Sequence, residues 1–295
     1  IGVHWAIAVF DEAQKIKNPK ARVTDMAKSI KAELTLTLTG TPVENSLADL
    51  WCIADAVQLG RLQTLKEFAG RFMPGGKPGQ EELSDLKNEL DFPTTHSLML
   101  RRSKEEHWHE RPDKHECLHE VIMPEEQALY YTAVIEKAQH AKGKKGAMLE
   151  ALQSLRAVSL HPSFQQEHSG NGDEFIHKSA RLIALFNILD DLSSRGEKAL
   201  IFIEYLKMQA AISEIIERRY DCPKVMIING QVSGAKRQAH VDEFQNRREG
   251  FEVMILSPKA GGVGINLTAA THVIHLSRWW NPAVEDQCSD RAYTS

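Results

Sequence analysis

Apolar and polar positions change period several times along this chain, and the changes mark out its elements. Residues Trp5 to Phe10 form a nearly unbroken apolar run, which predicts a strand buried on both faces of a parallel sheet, with Asp11 and Glu12 at its carboxyl end. From Leu34 to Thr39 the order is Leu-Thr-Leu-Thr-Leu-Thr, a period-two strand that runs into Gly40-Thr41-Pro42. A helix is expected from near Ser46. Between about Gly60 and Gly172 helical spacing dominates, with polar turns at Pro74 to Gly79 and Lys142 to Gly146. The polar run from Gln165 to Glu174 is the linker candidate. Beyond it Leu182, Phe186, Leu189 and Leu192 recur at helical spacing, as do Ala211, Ile212, Ile215 and Ile216. Short apolar strands are predicted at 199–203, 225–228, 253–256 and 272–276. The architecture expected is α/β, two units flanking a helical insertion.

Composition narrows the class. Hydrophobic residues make up 42% and charged residues 26% of 295, ordinary for a water-soluble globular chain. No apolar run approaches the roughly 18 residues needed to span a bilayer, so no membrane partner is expected. The opening residues have no basic leader and read as a strand entering a motif in mid-domain. Formal net charge is −4, so any grip on nucleic acid must come from a local patch. Cys52, Cys117, Cys222 and Cys288 are scattered without paired spacing, which points to a reducing compartment.

Several short segments carry candidate chemistry. An Asp at a strand end can hold Mg²⁺ through water, and a Glu beside it can deprotonate an attacking water. Asp11-Glu12 taken alone is more often a solvated strand end. Thr39-Gly40-Thr41-Pro42 offers hydroxyls and a tight turn at the sheet's carboxyl edge, where ligands bind, although a plain Gly-Pro turn has the same appearance. Residues 260–267, AGGVGINL, let the backbone approach phosphate closely but lack the G-x-G-x-x-G dinucleotide spacing. Gln287 and Arg291 would share a face if their segment is helical, and an Arg there could stabilise a transferring phosphoryl group.

Taken together these segments resemble, in order, the Swi/Snf-type ATPases of helicase superfamily 2. The resemblance is carried by DEAQKIKN at 11–18, LTGTPVENSLADLW at 38–51, LMLRRSKEE at 98–106 and MPEEQALYY at 123–131. KALIFIEY at 198–205, INGQVSGAKRQ at 228–238 and LSPKAGGVGINLTAATHVIHLSRWWNPAVEDQCSDRAY at 256–293 complete it.

The resemblance implies two RecA-like lobes, the first incomplete, with a helical insertion between them. Their expected bounds are 1–59 for the end of the first lobe, 60–172 for insertion and linker, and 173–295 for the second lobe. It implies ATP and Mg²⁺ as cofactors and double-stranded DNA, with proteins bound to it, as partners. Asp11 would organise Mg²⁺ and Glu12 would be the catalytic base. Gln14, Thr39, Gly40 and Thr41 would couple nucleotide state to DNA grip. Gly262, Gly264 and Arg291 would lie near the nucleotide, Gln287 and Arg291 in the last motif, and Gly261, Asn266, Thr268, Trp279 and Trp280 near DNA.

Two departures from the family pattern stand out. The family's second arginine is replaced by Thr294, and no G-x-x-x-x-G-K-[ST] loop occurs. The 295 residues alone are therefore expected not to hydrolyse ATP. A non-catalytic DNA-binding fragment and an RNA-directed helicase remain alternatives at this point, and nucleoid-bearing cytoplasm is favoured over a nucleus.

Other features have bland readings beside the tempting ones. His107, His109, His115, Cys117 and His119 could place zinc ligands on one strand face, but the paired spacing is absent and a solvated strand is expected. Lys142 to Lys145 reads as a solvated loop. Arg101-Arg102 divides between a functional pair and structural pairing. Paired tryptophans pack more often than they stack on bases, so Trp279 and Trp280 stay open between the two.

Overall fold

The structure is a computed structural model that describes residues 2–91, 97–102, 106, 113–141, 146–163, 172–222, 224–247, 250–261 and 264–293. The chain divides into two compact units, 1–111 and 112–295.

In the first unit β1 (His4–Phe10) pairs in parallel with β2 (Lys31–Thr37), with Ile7 opposite Leu34 and Val9 opposite Leu36. The connection between them contains a 3-10 turn (Ala13–Ile16) and α1 (Arg22–Lys28). The helix α2 (Leu47–Val57) starts where expected, Ser46 accepting the Ala48 N–H at its amino end. Ala13, Ile16, Ala27 and Ile53 form a small core with Phe10 packed against it. Leu50, Trp51 and Cys52 of α2 pack on α3 (Leu65–Phe72) and α4 (Gln80–Leu90) through Phe68, Phe72, Leu86 and Leu90.

The prediction that β1 is buried on both faces fails. Trp5, Ile7 and Val9 are 52%, 56% and 55% exposed, and Leu34 and Leu36 of the adjacent strand and Leu38 just beyond it are also exposed. In a parallel pair, registered residues share a face. The small core lies on the face of Ala8, Phe10, Thr35 and Thr37, so the apolar row looks outward. Apolar periodicity specifies a strand; it does not specify which layer covers it.

The second unit holds a four-stranded parallel sheet in the order β4-β5-β3-β6. Its strands are β3 (Lys198–Phe202), β4 (Met226–Ile228), β5 (Glu252–Leu256) and β6 (His272–His275). The helices are α5 (Glu125–His140), α6 (Ala147–Leu160), α7 (Gly172–His177), α8 (Ala180–Arg195), α9 (Leu206–Tyr220), α10 (Gly234–Asn246), α11 (Pro258–Gly261) and α12 (Pro282–Ser289). Period-two alternation sends Ala199, Ile201, Val253 and Ile255 toward α8 and α9, where Leu182, Leu189, Leu192, Ile212 and Ile216 are buried. Leu200, Phe202, Met254 and Leu256 face the opposite layer, with Val241 and Phe244 of α10, Leu267 and Cys288. Each fully buried aliphatic side chain contributes about 2 kcal/mol, so these two layers carry most of the unit's stability.

The stretch 60–172 divides between the units: α3 and α4 lie in the first, α5 and α6 in the second. Gln127 of α5, wholly buried, explains the second attachment. Its amide nitrogen donates to the Val158 and Ser159 carbonyls at the end of α6, at 2.8 and 3.2 Å, and its carbonyl accepts the Ala180 N–H of α8 at 3.0 Å. The expected linker is in part helical, because α7 begins at Gly172; residues 164–171 lie outside the described residues. So do Lys142 to Lys145, His107 and His109. His115, Cys117 and His119 are exposed and lie in no regular strand, contrary to the expectation of one.

Candidate functional site

In the first unit the functional candidates sit where two parallel strands end, the edge at which open α/β sheets bind ligands. Beyond β1 the chain turns sharply: Glu12 takes φ 52° and ψ 50°, a left-handed conformation that costs a non-glycine residue about 1 kcal/mol. Two contacts stabilise the turn. The Glu12 N–H donates to Asp11 Oδ1 at 2.8 Å, and Gln14 Nε2 donates to Glu12 Oε2 at 2.6 Å. Strain held at a chemically equipped strand end is itself a pointer to function.

Gln14 reaches the second strand end as well. Its carbonyl accepts the Thr39 hydroxyl at 2.7 Å, and that hydroxyl accepts the Thr41 N–H at 3.1 Å. The four groups form one directional chain, from Thr41 through Thr39 and Gln14 to the Glu12 carboxylate, in which each hydrogen bond polarises the next. The ladder continues beside it, Leu38 N–H donating to Phe10 O and Ala13 N–H to Leu38 O. The far end of the TGTPVEN turn is fixed too: Asp49 accepts the Glu44 and Asn45 N–H groups, and Lys17 pairs with Glu44 and, at 3.7 Å, with Asp49. Gly40 is exposed between these two anchors.

Asp11 is exposed, a carboxylate open to a hydrated cation. No group of three or more His, Cys, Asp or Glu side chains among the described residues could hold a metal unaided. A single exposed carboxylate fits the way Mg²⁺ binds, keeping most of its water and leaning on one or two carboxylates plus substrate phosphates.

In the second unit the segment after α11 alternates. Ile265 and Leu267 are buried, whereas Gly264, Asn266 and Thr268 face solvent. Gly264 has φ 48°, a conformation that suits glycine. Gln245 of α10 clamps the segment, donating to the Thr268 hydroxyl at 3.1 Å and accepting the Ala269 N–H at 2.7 Å. The Leu267 N–H donates to the Arg291 carbonyl at 2.8 Å, which brings the glycine segment and the last motif together. Gly262 and Thr294 lie outside the described residues, and Gly261 ends α11.

Gln287 and Arg291 do not share a helical face. Helix α12 ends at Ser289, and Arg291 follows in a turn, its N–H donating to the Cys288 carbonyl. Cys288 anchors that turn: it is buried, its thiol meets the Pro258 carbonyl at 3.7 Å, and burial pushes its pKa up to about 12. The His275 ring stacks on Phe202 and meets the Ser289 hydroxyl at 2.9 Å, joining β6 to α12; burial lowers its pKa.

Trp279 and Trp280 lie between β6 and α12, Trp279 half-buried and Trp280 60% exposed. Residues that the sequence did not single out hold them. Glu285 accepts the Trp279 N–H at 2.6 Å and pairs with Arg278 at 2.8 Å. Lys259 stands 5.5 Å from the Trp279 ring centre, and Arg156 of α6 lies near both rings. Arg101 and Arg102 are exposed in the first unit.

Two open parallel sheets, with chemistry gathered at their carboxyl edges, define an α/β protein of RecA-like type. Residues 2–164 match the SNF2-related domain and residues 177–294 the helicase conserved C-terminal domain. The chain therefore belongs to the SNF2-related family of superfamily 2 helicases. It is 34% identical over 300 residues to the putative ATP-dependent helicase/translocase YwqA of Bacillus subtilis, covering 99% of this chain and 32% of that protein. It is 36% identical over 308 residues to the Zorya protein ZorD of Escherichia coli, covering 98% and 28%. The Sulfolobus solfataricus SWI2/SNF2 ATPase core in complex with dsDNA matches at TM-score 0.50 and 31% identity, covering 99% of this chain and 61% of that one. The chain thus spans about a third of the length of these curated relatives.

Proposed function

We propose that these residues form part of an ATP-driven motor that moves along duplex DNA and remodels protein bound to it. The observation that carries the reading is the hydrogen-bond chain from Thr41 through Thr39 and Gln14 to Glu12. It gives the Glu12 carboxylate a fixed orientation and ties that orientation to the turn at the end of β2. A base must be held within hydrogen-bond reach of the water it activates, and Gln14 supplies that restraint. A shift of the Thr39–Thr41 turn, as on DNA engagement, would release or tighten the base.

Asp11 would hold Mg²⁺ through water, and the ion would neutralise phosphate charge. In this reading Gln287 and Arg291 belong to the hydrolytic machinery of the second unit, Arg291 stabilising phosphoryl charge. Gly261, Gly262, Gly264, Asn266 and Thr268 contribute to a nucleotide- and backbone-facing segment, and Trp279 and Trp280 to the DNA face. Solvent exposure of Gly264, Asn266, Thr268 and Trp280 supports those assignments. Action in nucleoid-bearing cytoplasm is part of the same proposal.

The test is ATP turnover. The 295 residues alone are expected to turn over no ATP, because no G-x-x-x-x-G-K-[ST] loop is among them. Joined to a segment that supplies this loop, they hydrolyse ATP faster with duplex DNA, and Glu12→Gln lowers kcat by about a hundredfold or more. Equal turnover with Glu12→Gln would refute the reading.

A further inference from the structure

Arg156 lies on α6, in the stretch between the two α/β regions, far in sequence from any segment discussed as a site. Its guanidinium nonetheless makes four contacts at the carboxyl edge of the second sheet. One terminal nitrogen donates to Glu204 Oε2 at 2.6 Å, just beyond β3, and to the Arg278 carbonyl at 3.1 Å. The guanidinium carbon lies 5.9 Å from the Trp279 ring centre and 5.1 Å from that of Trp280. Both fall within the range at which a cation is attracted to an indole face.

The loop between β6 and α12 is thus gripped from several elements. Arg156 holds the carbonyl that precedes Trp279 and lies near both rings. Glu285 of α12 holds the Trp279 N–H, and Lys259 beyond β5 sits near the Trp279 ring. Arg181 of α8 donates to the Leu276 carbonyl at 2.6 Å, fixing where the loop begins. Trp280 remains 60% exposed in the middle of this scaffold. Only part of the indole is covered by this scaffold, so the restraint leaves much of the ring presented to solvent.

We propose that Arg156 is a positioning residue that fixes the Trp279–Trp280 loop, so that Trp280 presents a rigid ring, flanked by cations, to a nucleic-acid strand. The DNA arm of this proposal rests on the duplex-DNA reading above; the positioning arm does not. Arg156 is 24% exposed and donates to Glu204 and to a backbone carbonyl, so it acts through the tryptophan loop rather than by gripping phosphate itself. On a duplex, whose bases are already paired and stacked, the ring would meet the sugar–phosphate backbone and so be indifferent to sequence, as a motor on duplex DNA requires.

The experiment compares the 295-residue chain with its Arg156→Ala, Arg156→Lys, Trp280→Phe and Arg156→Ala/Trp280→Phe variants. Glu204→Gln serves as a second way to loosen the guanidinium should Arg156→Ala fail to fold. Without DNA, Arg156→Ala is expected to change acrylamide quenching of tryptophan emission by at least about 1.5-fold, and Arg156→Lys to restore only part of it, because lysine lacks the planar fork. In the Trp280→Phe background most of this change disappears. Unaltered quenching in both Arg156→Ala and Glu204→Gln would overturn the positioning role, whether or not the chain binds DNA.

With a fluorescent duplex, Arg156→Ala is expected to raise Kd about tenfold while leaving the salt dependence unchanged, because no phosphate contact is lost. In the Trp280→Phe background the same substitution changes Kd by less than about twofold, the non-additivity of residues that act together. A salt slope shallower by about one contact would show that Arg156 grips phosphate directly and would overturn the proposal. If wild type bound no duplex but the quenching result held, the DNA reading would fail and the positioning role would stand.

Discussion

The Thr39 hydroxyl donates to the Gln14 side-chain carbonyl at 2.7 Å, and this one contact joins the ends of two parallel strands into a single hydrogen-bond chain. Gln14 has one donor and one acceptor face, and both are used, one toward Glu12 and one toward Thr39. Loss of the hydroxyl leaves a half-buried carbonyl and the Thr41 N–H without their partner. Thr39→Val is therefore expected to destabilise the chain by about 1 kcal/mol and Thr39→Ser to be nearly neutral. Urea unfolding measures this. A double-mutant cycle with Gln14→Ala should show a coupling of about 0.5 kcal/mol or more; strict additivity would argue that the chain is not a unit.

Lys198 stands at the opposite edge of the second sheet. Its ammonium donates to the Phe244 carbonyl at 2.7 Å and to the Arg247 carbonyl, closing the end of α10, and pairs with Glu252 at 3.1 Å. Both side chains are nearly buried. Lys198→Met removes the cation and leaves Glu252 with Arg247 as its remaining ion-pair partner, a loss of about 3 kcal/mol in thermal or urea unfolding. Lys198→Met combined with Glu252→Gln should cost less than the sum of the two single changes.

His275 makes stability depend on pH. Burial holds its folded pKa below the usual value, and the positive charges of Arg278 and Lys114 act in the same direction against Glu285 and Asp286. The unfolded imidazole therefore takes up a proton first as pH falls. The contribution is complete above about pH 6.5, the unfolded value, and is lost as pH drops through the lower folded one. Between pH 7.5 and 5, wild type should lose more stability than His275→Gln; an equal or smaller loss would contradict this.

Thiol reactivity separates three of the four cysteines. Cys117 is exposed, whereas Cys52 and Cys288 are buried and burial raises both of their pKa values. A disulfide reagent should label Cys117 quickly in the folded chain, and Cys117→Ser should remove that fast phase. Cys288 should react only on unfolding, because its thiolate is inaccessible and disfavoured. Native-state labelling of Cys288 would show that the turn before Arg291 opens.

Sequence patterning located the strands well because a parallel sheet buried on both faces leaves continuous apolar runs, as at 199–203 and 253–256. It misjudged β1, whose apolar run faces solvent in these 295 residues: hydrophobicity records what a segment can bury, and cover is a tertiary property. The strand-end carboxylates and Thr39 were legible because their chemistry sits beside strand ends in the sequence. Arg156, Glu204 and Glu285 were not. One is a guanidinium on an amphipathic helix, and their meeting at Trp279 depends on contacts up to 122 residues apart. Gln127 was missed for a related reason, since a polar residue in a helix normally reads as exposed. Four-residue spacing puts Gln287 and Arg291 on one face only if the segment stays helical, and α12 ends between them.

Duplex binding as a function of salt tests the central claim most directly. The account predicts that the 295-residue chain binds duplex DNA of unrelated sequences alike, with affinity falling about a hundredfold between 50 and 200 mM salt, as expected for about four phosphate contacts. Absence of binding at 50 mM salt, or tighter binding to duplex RNA than to duplex DNA, would contradict it.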